Sequence, residues 1–594
     1  MTTSGDGRVA RSPRLLLALA AVAVAFAAAD TYVVVLALPD MMAGAGIPVD
    51  QLQRGAPIVS GFLLGYVAML PLIGRIADLR GRVPVLVAAL VVFALGSLLT
   101  TLAYDLPSMV AGRFLQGVGG GGLVPATLAL VADLYPAERR AVPLGVVSAV
   151  QELGSVLGPL FGAAVLAVAD WRVIFLVNLA VGLVLAAALR ALADRPARSE
   201  GARPPGGAGR PDWPSAALGA VVLGAGALTF TEPPPLMRNL TLGRIFIPAT
   251  GDSRWLTPAG IVTVVALLLL VVRSATAGRP LLDLPGWVAT IREADVLGAA
   301  LLALALSGVI LAFATADPRV QVFSDRGVWD LLGAAVAAVA FVVHLRRAET
   351  PLLPRGALRR RPAWGGIVVS LFVGAALVAA LIDVPLFART TVYPDSQLMA
   401  ALVLVRFLVA LPVGAVLGGY LTRALPAGVV TAAGMAAATV AFLWMATWGL
   451  ESLDHAVATV PLVLGGLGFG LALAPVNAAV LATTDPEVHG VASAFVVVAR
   501  MVGMLVGVSA LTTIGLRRYY AEQAGLPTAR EVCGTSTRCD AFTHLLKVAG
   551  SAQEHAVFTG AAVCAATAGV LALLLLRGAA TRAVSTGDLL RLAG

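Results

Sequence analysis

Six ionisable residues, Asp30, Arg113, Glu152, Asp383, Arg406 and Arg500, stand deep inside long apolar runs of the chain. A charge at the centre of a bilayer costs about 2.5–3.5 kcal/mol even on a lenient insertion scale, so each is a functional candidate by default. Two unit charges about 4 Å apart at an effective dielectric near 20 interact by about 4 kcal/mol, which is roughly three pKa units. One arginine can therefore hold one carboxylate ionised while repulsion and burial push another toward binding a proton. Asp30, Glu152 and Arg500 are read as such a proton-dependent latch, with Arg113, Asp383 and Arg406 as further coupling candidates. A paired structural network is the alternative for the trio, and an arginine reaching along its stem to an interface is the alternative for Arg113.

The elements that carry these residues are membrane helices. Hydrophobic residues make up 59% of the 594 and charged residues 13%, and mean hydropathy is +0.91, which excludes an ordinary soluble domain. The formal charge of +9 does not argue for nucleic acid, because the arginines fall in short loops between apolar segments, as in positive-inside anchoring. Residues 8–29 imitate a secretory signal. The apolar run continues to Pro39, however, long enough to span about 30 Å of hydrocarbon, and is read as the first helix.

Six apolar segments, 15–39, 57–73, 83–103, 108–134, 141–169 and 173–193, form a first bundle over residues 1–193. Residues 194–361 hold basic loops and four linker segments, 215–230, 256–272, 296–313 and 331–344, whose tails are alike enough to suggest a duplicated helix pair. A second bundle over residues 362–594 contains segments 364–387, 398–421, 429–450, 456–483, 491–516 and 556–576. The expected fold is all-α with sixteen helices, or fourteen if one linker pair lies in the interface, and both termini in the cytoplasm. The polar loop 517–555 falls on the outer face, where Cys533 and Cys539 are a plausible disulfide. It is read either as a helical hairpin extending its two neighbours or as a disordered loop.

Two stretches repeat a recognisable spacing. Between the second and third segments, Gly74, Arg75, Asp78, Arg80, Gly81 and Arg82 form a loop similar to G-x-x-x-D-R-x-G-R-R/K of the major facilitator superfamily, with the central arginine displaced by one place. Gly112 to Gly117 resembles the R-x-x-Q-G motif of that superfamily, in which the arginine is linked to proton coupling, here Arg113. Gly154, Gly158 and Gly162 recur every four residues and form a packing stripe, with Pro159 able to bend the helix. This pattern resembles the antiporter motif of the drug/proton branch with inserted linker helices. The runs at Asp30–Val35, Gln151–Pro159, Ala410–Val416 and Val497–Leu505 are similar to the mycobacterial triacylglycerol-exporter family, which has two linker helices where four are counted here. The resemblance implies a bacterial inner-membrane lipid exporter working with a periplasmic lipid-carrying lipoprotein. It also implies a buried polar trio of Asp30, Glu152 and Arg500; Asp383 is expected to occupy in the second bundle the place of Asp30 in the first, as in related repeats.

Enzyme chemistry has little support. Five histidines are scattered, no His/Cys cluster has metal spacing, and no Gly-Lys-Ser/Thr phosphate loop offers ATP a site. The expected energy source is a proton gradient, with no cofactor and no metal. Export of a triacylglycerol-like lipid is the leading reading. Proton-driven multidrug efflux and a non-transporting membrane scaffold for a lipoprotein are the alternatives, and the expected state is a monomer.

Overall fold

A computed structural model describes residues 11–47, 52–193, 212–239, 241–251, 253–277, 283–314, 326–394, 396–534 and 539–581. Among the described residues, sixteen helices are long and apolar enough to cross a membrane. They are α1 (Arg11–Gly44), α2 (Leu52–Arg80), α3 (Arg82–Leu102), α4 (Leu106–Leu134), α5 (Ala141–Leu166) and α6 (Arg172–Ala193); α7 (Trp213–Thr231), α8 (Pro258–Thr276), α9 (Val296–Ala314) and α10 (Gly327–Arg347); and α11 (Arg361–Thr390), α12 (Gln397–Leu421), α13 (Ala427–Met445), α14 (Thr459–Leu481), α15 (His489–Ala524) and α16 (Asp540–Leu575). In hydrocarbon every backbone polar group must be satisfied within its own segment, and helices do so. Polar side chains close the ends: Asp105 and Ser108 form a capping box at α4, while Asp212 and Thr257 cap α7 and α8, each with proline in the first turn.

The first six helices pack chiefly among themselves, as do the last six. Each set has its own core, the second rich in phenylalanine, with Phe387, Phe407, Phe442, Phe469 and Phe558 buried. The glycine stripe sets the closest approach. A Cβ at Gly154 would lie 2.1 Å from the carbonyl of Ala25, and one at Gly158 2.4 Å from that of Ala29, so α5 runs alongside α1 at backbone contact. Gly503 and Gly507 of α15 meet Leu371 and Ala375 of α11 in the same way. Gly162 is buried further along the α5 stripe, and α5 continues as helix through Pro159, whose side chain lies outside the described ones.

These matched contacts correct one expectation. The α11 positions that face glycine lie 346 residues beyond their α1 counterparts, so Asp30 corresponds to Ala376 and Asp383 to Ala37. Asp383 thus sits seven residues further along its helix than the place of Asp30, about 10 Å at 1.5 Å per residue.

The linker forms two hairpins. α7 and α8 are tied at one end by Arg273 to Asp212 at 2.9 Å and at the other by Arg254 to Glu232 at 3.1 Å. α9 packs on α10 and also lies against both α2 and α15, along a seam between the bundles. Asp295 closes this second hairpin, accepting from the backbone N–H of Leu352 at 2.8 Å and pairing with His344 at 2.7 Å. Between the hairpins the short helix Leu284–Glu293 docks on the end of α2. There Arg80 bonds the Asp283 carboxylate and the Thr290 hydroxyl and lies 4.4 Å over the Trp287 ring. The displaced arginine of the 74–82 motif therefore holds the linker.

Two loops are more helical than expected. Residues 74–80 complete α2, and only Gly81, at φ 93°, breaks it before α3. Most of 517–555 extends α15 to Ala524 and begins α16 at Asp540, with the short helix Ala529–Cys533 between them and a disulfide joining Cys533 to Cys539. The hairpin reading of that loop is the one found.

Candidate functional site

The arginine-rich ends of α2 and α3 meet the start of α15 and close the space between the bundles there. Asp78 accepts from the backbone N–H of Gly490 at 2.8 Å and of Val491 at 3.1 Å, capping the first turn of α15. Arg82 bonds Asp78, reaches the Pro486 carbonyl at 3.1 Å and pairs with Asp133 at 3.3 Å. Arg75 extends to the Glu487 carbonyl at 3.5 Å, and Arg140 reaches the Leu481 carbonyl at 3.3 Å. A Cβ at Gly74 would lie 2.6 Å from the Gly490 carbonyl, and one at Gly145 of α5 2.5 Å from that of Ala415 on α12. Gly74, Arg75, Asp78 and Arg82 thus lie at this seal, Gly81 breaks the chain between α2 and α3 beside it, and Arg80 turns to the linker.

Beyond the seal the bundles enclose a cavity of about 500 Å³. Its wall is mostly apolar, with Val59, Phe62, Leu63, Leu377, Leu381, Met501, Met504 and Leu505, and a polar floor of Thr31, Tyr66, Arg113, Gln151, Glu152 and Arg500. A concave apolar space with a few convergent polar groups is the usual form of a small-molecule site. Between this cavity and the seal lies an enclosed pocket of about 20 Å³, lined by Ser148, Gln151, Ser370, Asn477 and Arg500 among others, enough for one water.

The ionisable groups form two pairs where the sequence suggests a single meeting of three. Asp30 is fully enclosed within the first bundle. Arg113 donates to its Oδ2 at 2.7 Å, and Gln116 at 3.0 Å and Asn178 donate to Oδ1. Gln116 also donates to Ser97 at 3.0 Å, and the Arg113 guanidinium lies 4.4 Å over the Phe62 ring. Glu152 and Arg500 form the second pair across the bundles, Oε1 to Nη1 at 3.8 Å, each side chain 12% exposed toward the cavity. Asp30 is thus a bonded partner of Arg113, and among the described residues Arg500 pairs with Glu152. The physical reason is reach: Arg113 stands on α4, which packs on α1 within the same bundle, and Gln116 and Asn178 supply the remaining donors.

Two further candidates lie elsewhere. Arg406 is half-buried and donates to the Thr459 hydroxyl at 3.0 Å, linking α12 to α14 outside the cavity lining. Asp383 is buried beside Glu554 of α16 and also lies outside the lining. Sequence reasoning missed Gln116, Asn178 and Glu554. Gln116 was within sight, since it stands inside the motif quoted for Arg113, three residues on and so on the same helix face.

The model of the Major Facilitator Superfamily matches residues 20–508. A triacylglyceride transporter of Mycolicibacterium hassiacum is 36% identical over 522 residues, covering 85% of this chain and 81% of that protein. One of Mycobacteroides abscessus is 33% identical over 529 residues, 87% of this chain and 85% of that protein. One of Mycobacterium tuberculosis is 34% identical over 531 residues, with the same coverages of 87% and 85%. Among solved structures, the human organic anion transporter MFSD10 aligns over 94% of this chain and 99% of that one at 14% identity, with a TM-score of 0.51, a likeness of fold alone.

Proposed function

This chain belongs to the Major Facilitator Superfamily, and from that premise we propose that it exports a triacylglycerol-like lipid by proton-coupled alternating access. The observation that carries the reading is the Glu152–Arg500 pair, which bridges the two bundles in the wall of a largely apolar cavity sealed at its arginine-rich end. At 3.8 Å it is a loose ion pair and not a short hydrogen bond. A proton arriving on Glu152 removes the charge that Arg500 faces, and the attraction between the bundles falls. The equilibrium between closed and open states can shift only by such a difference in interaction.

Asp30 has a different role in this scheme. Held by Arg113, Gln116 and Asn178, it fixes the position of Arg113, whose positive charge lines the same cavity as Glu152. The many apolar residues of the wall suit acyl chains better than a polar solute, and the printed names of the relatives support the same substrate class.

The arginine-rich end is then the cytoplasmic face of a bacterial inner membrane, with both termini on that side. The Cys533–Cys539 disulfide, on the hairpin at the opposite end, fits an oxidising compartment there. The protruding α15–α16 hairpin is the surface that a periplasmic lipid-carrying lipoprotein would meet.

The test is co-purification and flux in one preparation. Lipid extracted from the purified native chain and identified by mass spectrometry should contain neutral acylglycerols, and Glu152→Gln and Arg500→Ala should abolish proton-driven lipid export while the protein remains folded. Dye efflux at native rates with no bound lipid would favour multidrug efflux, and full activity in both variants would end the coupling mechanism.

A further inference from the structure

The second bundle holds a pair of carboxyl groups that the cavity does not use. Asp383 of α11 is 4% exposed and Glu554 of α16 1% exposed, on two helices that pack against each other. Ionised carboxylates only accept, so two of them can bond each other only when one carries a proton. Glu554 Oε1 accepts from Gln553 Nε2 at 3.3 Å, whereas its buried Oε2 has no donor among the described residues.

The charged groups around the pair are engaged elsewhere. On α16, Lys547 donates to the Thr391 carbonyl at 3.2 Å, and the His555 ring bonds the Trp448 carbonyl at 2.6 Å. On α11, Arg389 is exposed. On α15, Arg517 is exposed, Arg518 pairs with Glu522 at 2.6 Å, and Arg500 sits at the level of Gly374, nine residues toward the arginine-rich end. On α12, Arg406 is bonded to Thr459. Helices α13 and α14 carry no ionisable residue of the Asp, Glu, His, Lys or Arg types. Among the described residues Asp383 and Glu554 therefore have no neutralising cation, in surroundings made by Phe387 and Phe558, one turn away on the same two helices and 6.4 Å apart.

We propose that Asp383 and Glu554 are a second proton-binding site, which holds one proton between two carboxyls and ties α11 to α16. Like charges in contact within an apolar site cannot both ionise without a large cost. With the proton in place the two helices are joined by a hydrogen bond. Without it they carry two negative charges in contact and separate. Leu381 and Ile382, the residues before Asp383, line the central cavity, so the state of the pair is felt at the cavity wall. The site goes beyond the Glu152–Arg500 reading and does not depend on it.

The full-length chain in lipid nanodiscs provides the test by infrared difference spectroscopy at neutral pH. The native chain should show the carbonyl stretch of a protonated carboxyl, lost in both Glu554→Gln and Asp383→Asn and kept in Glu152→Gln. Loss in Glu152→Gln alone, or native-like spectra in both dyad variants, would overturn the proposal. Thermal unfolding gives a second readout that does not need an identical fold. The native midpoint should fall as pH rises and the shared proton leaves, while Glu554→Gln, whose amide keeps a donor without titrating, should show a flatter alkaline limb. Equal alkaline slopes would overturn the proposal. So would rescue of the native midpoint by sodium chloride at alkaline pH, absent from Glu554→Gln, which would assign the site to a monovalent cation.

Discussion

The carboxylate of Asp78 and the backbone N–H of Gly490 lie 2.8 Å apart although they belong to different bundles. A helix-capping interaction, usually a local device, here crosses the interface between the two bundles, the one that the proposed alternating access must open. Its loss is the same event as parting α2 from α15.

Replacing Asp78 by alanine should therefore act on the closed state. Loss of an N-cap carboxylate costs about 0.5–2 kcal/mol, equivalent to roughly twofold to thirtyfold in the closed population. Amide hydrogen exchange at Gly490 and Val491 should accelerate by a factor in that range, while exchange in the α13–α16 core stays unchanged.

The two ion pairs should separate stability from transport. Removing Arg113 leaves Asp30 charged and enclosed, and breaking a buried pair costs about 3–5 kcal/mol. Arg113→Gln should lower the thermal midpoint markedly. Arg500→Gln, next to the cavity, should leave the midpoint near native and abolish coupled flux. A double-mutant cycle should find coupling between Asp30 and Arg113 and little between Asp30 and Arg500.

Glycine substitutions offer a packing test with an internal control. A Cβ at Gly503 would lie 1.9 Å from the Leu371 carbonyl, whereas one at Gly219 meets nothing within 4 Å. Gly503→Ala should destabilise by about 1–3 kcal/mol through overpacking. Gly219→Ala should be neutral or gain about 0.5–1 kcal/mol from helix propensity. Thermal unfolding of both in the same detergent would distinguish them.

The linker contact has a pH dependence of definite sign. The hydrogen bond from Arg80 holds the Asp283 carboxyl below its usual range, helped by the Gly286 N–H. A folded-state value that is depressed gives a contact fully present above the ordinary carboxylate pKa and lost as pH falls through the lowered one. The docking of Leu284–Glu293 should thus be unaffected near neutrality and weaken only in strong acid. Trp287 fluorescence, read as the difference from Trp287→Phe, should change in that acid window, and Asp283→Asn should produce the same change at neutral pH.

Much of this architecture was legible from hydropathy alone, because a helix must be long and apolar to cross hydrocarbon. Segment count, the linker hairpins and the disulfide follow from length, parity and cysteine placement. Contacts between helices do not. The periodicity that marks Asp30 and Arg500 as buried gives each a face, but which faces meet is decided by packing, and Arg113 reached Asp30 first. Glu554 was hidden by a boundary: the last apolar run begins at Ala556 by composition, yet α16 starts at Asp540, so a buried carboxyl was counted in a loop. The 74–82 stretch reads as a loop by composition because glycine and charge break apolar runs, although only Gly81 breaks the helix.

Helix α15 is one uninterrupted rod of 36 residues, from the turn capped by Asp78 to the base of the disulfide-closed tip. Arg500 stands eleven residues from its first end and twenty-four from its last, about 17 and 36 Å at 1.5 Å per residue. If the rod tilts about its ion pair with Glu152, the far tip sweeps about twice the distance travelled at the seal. A modest parting of the inner ends is thereby geared up into a wide swing of the protruding hairpin.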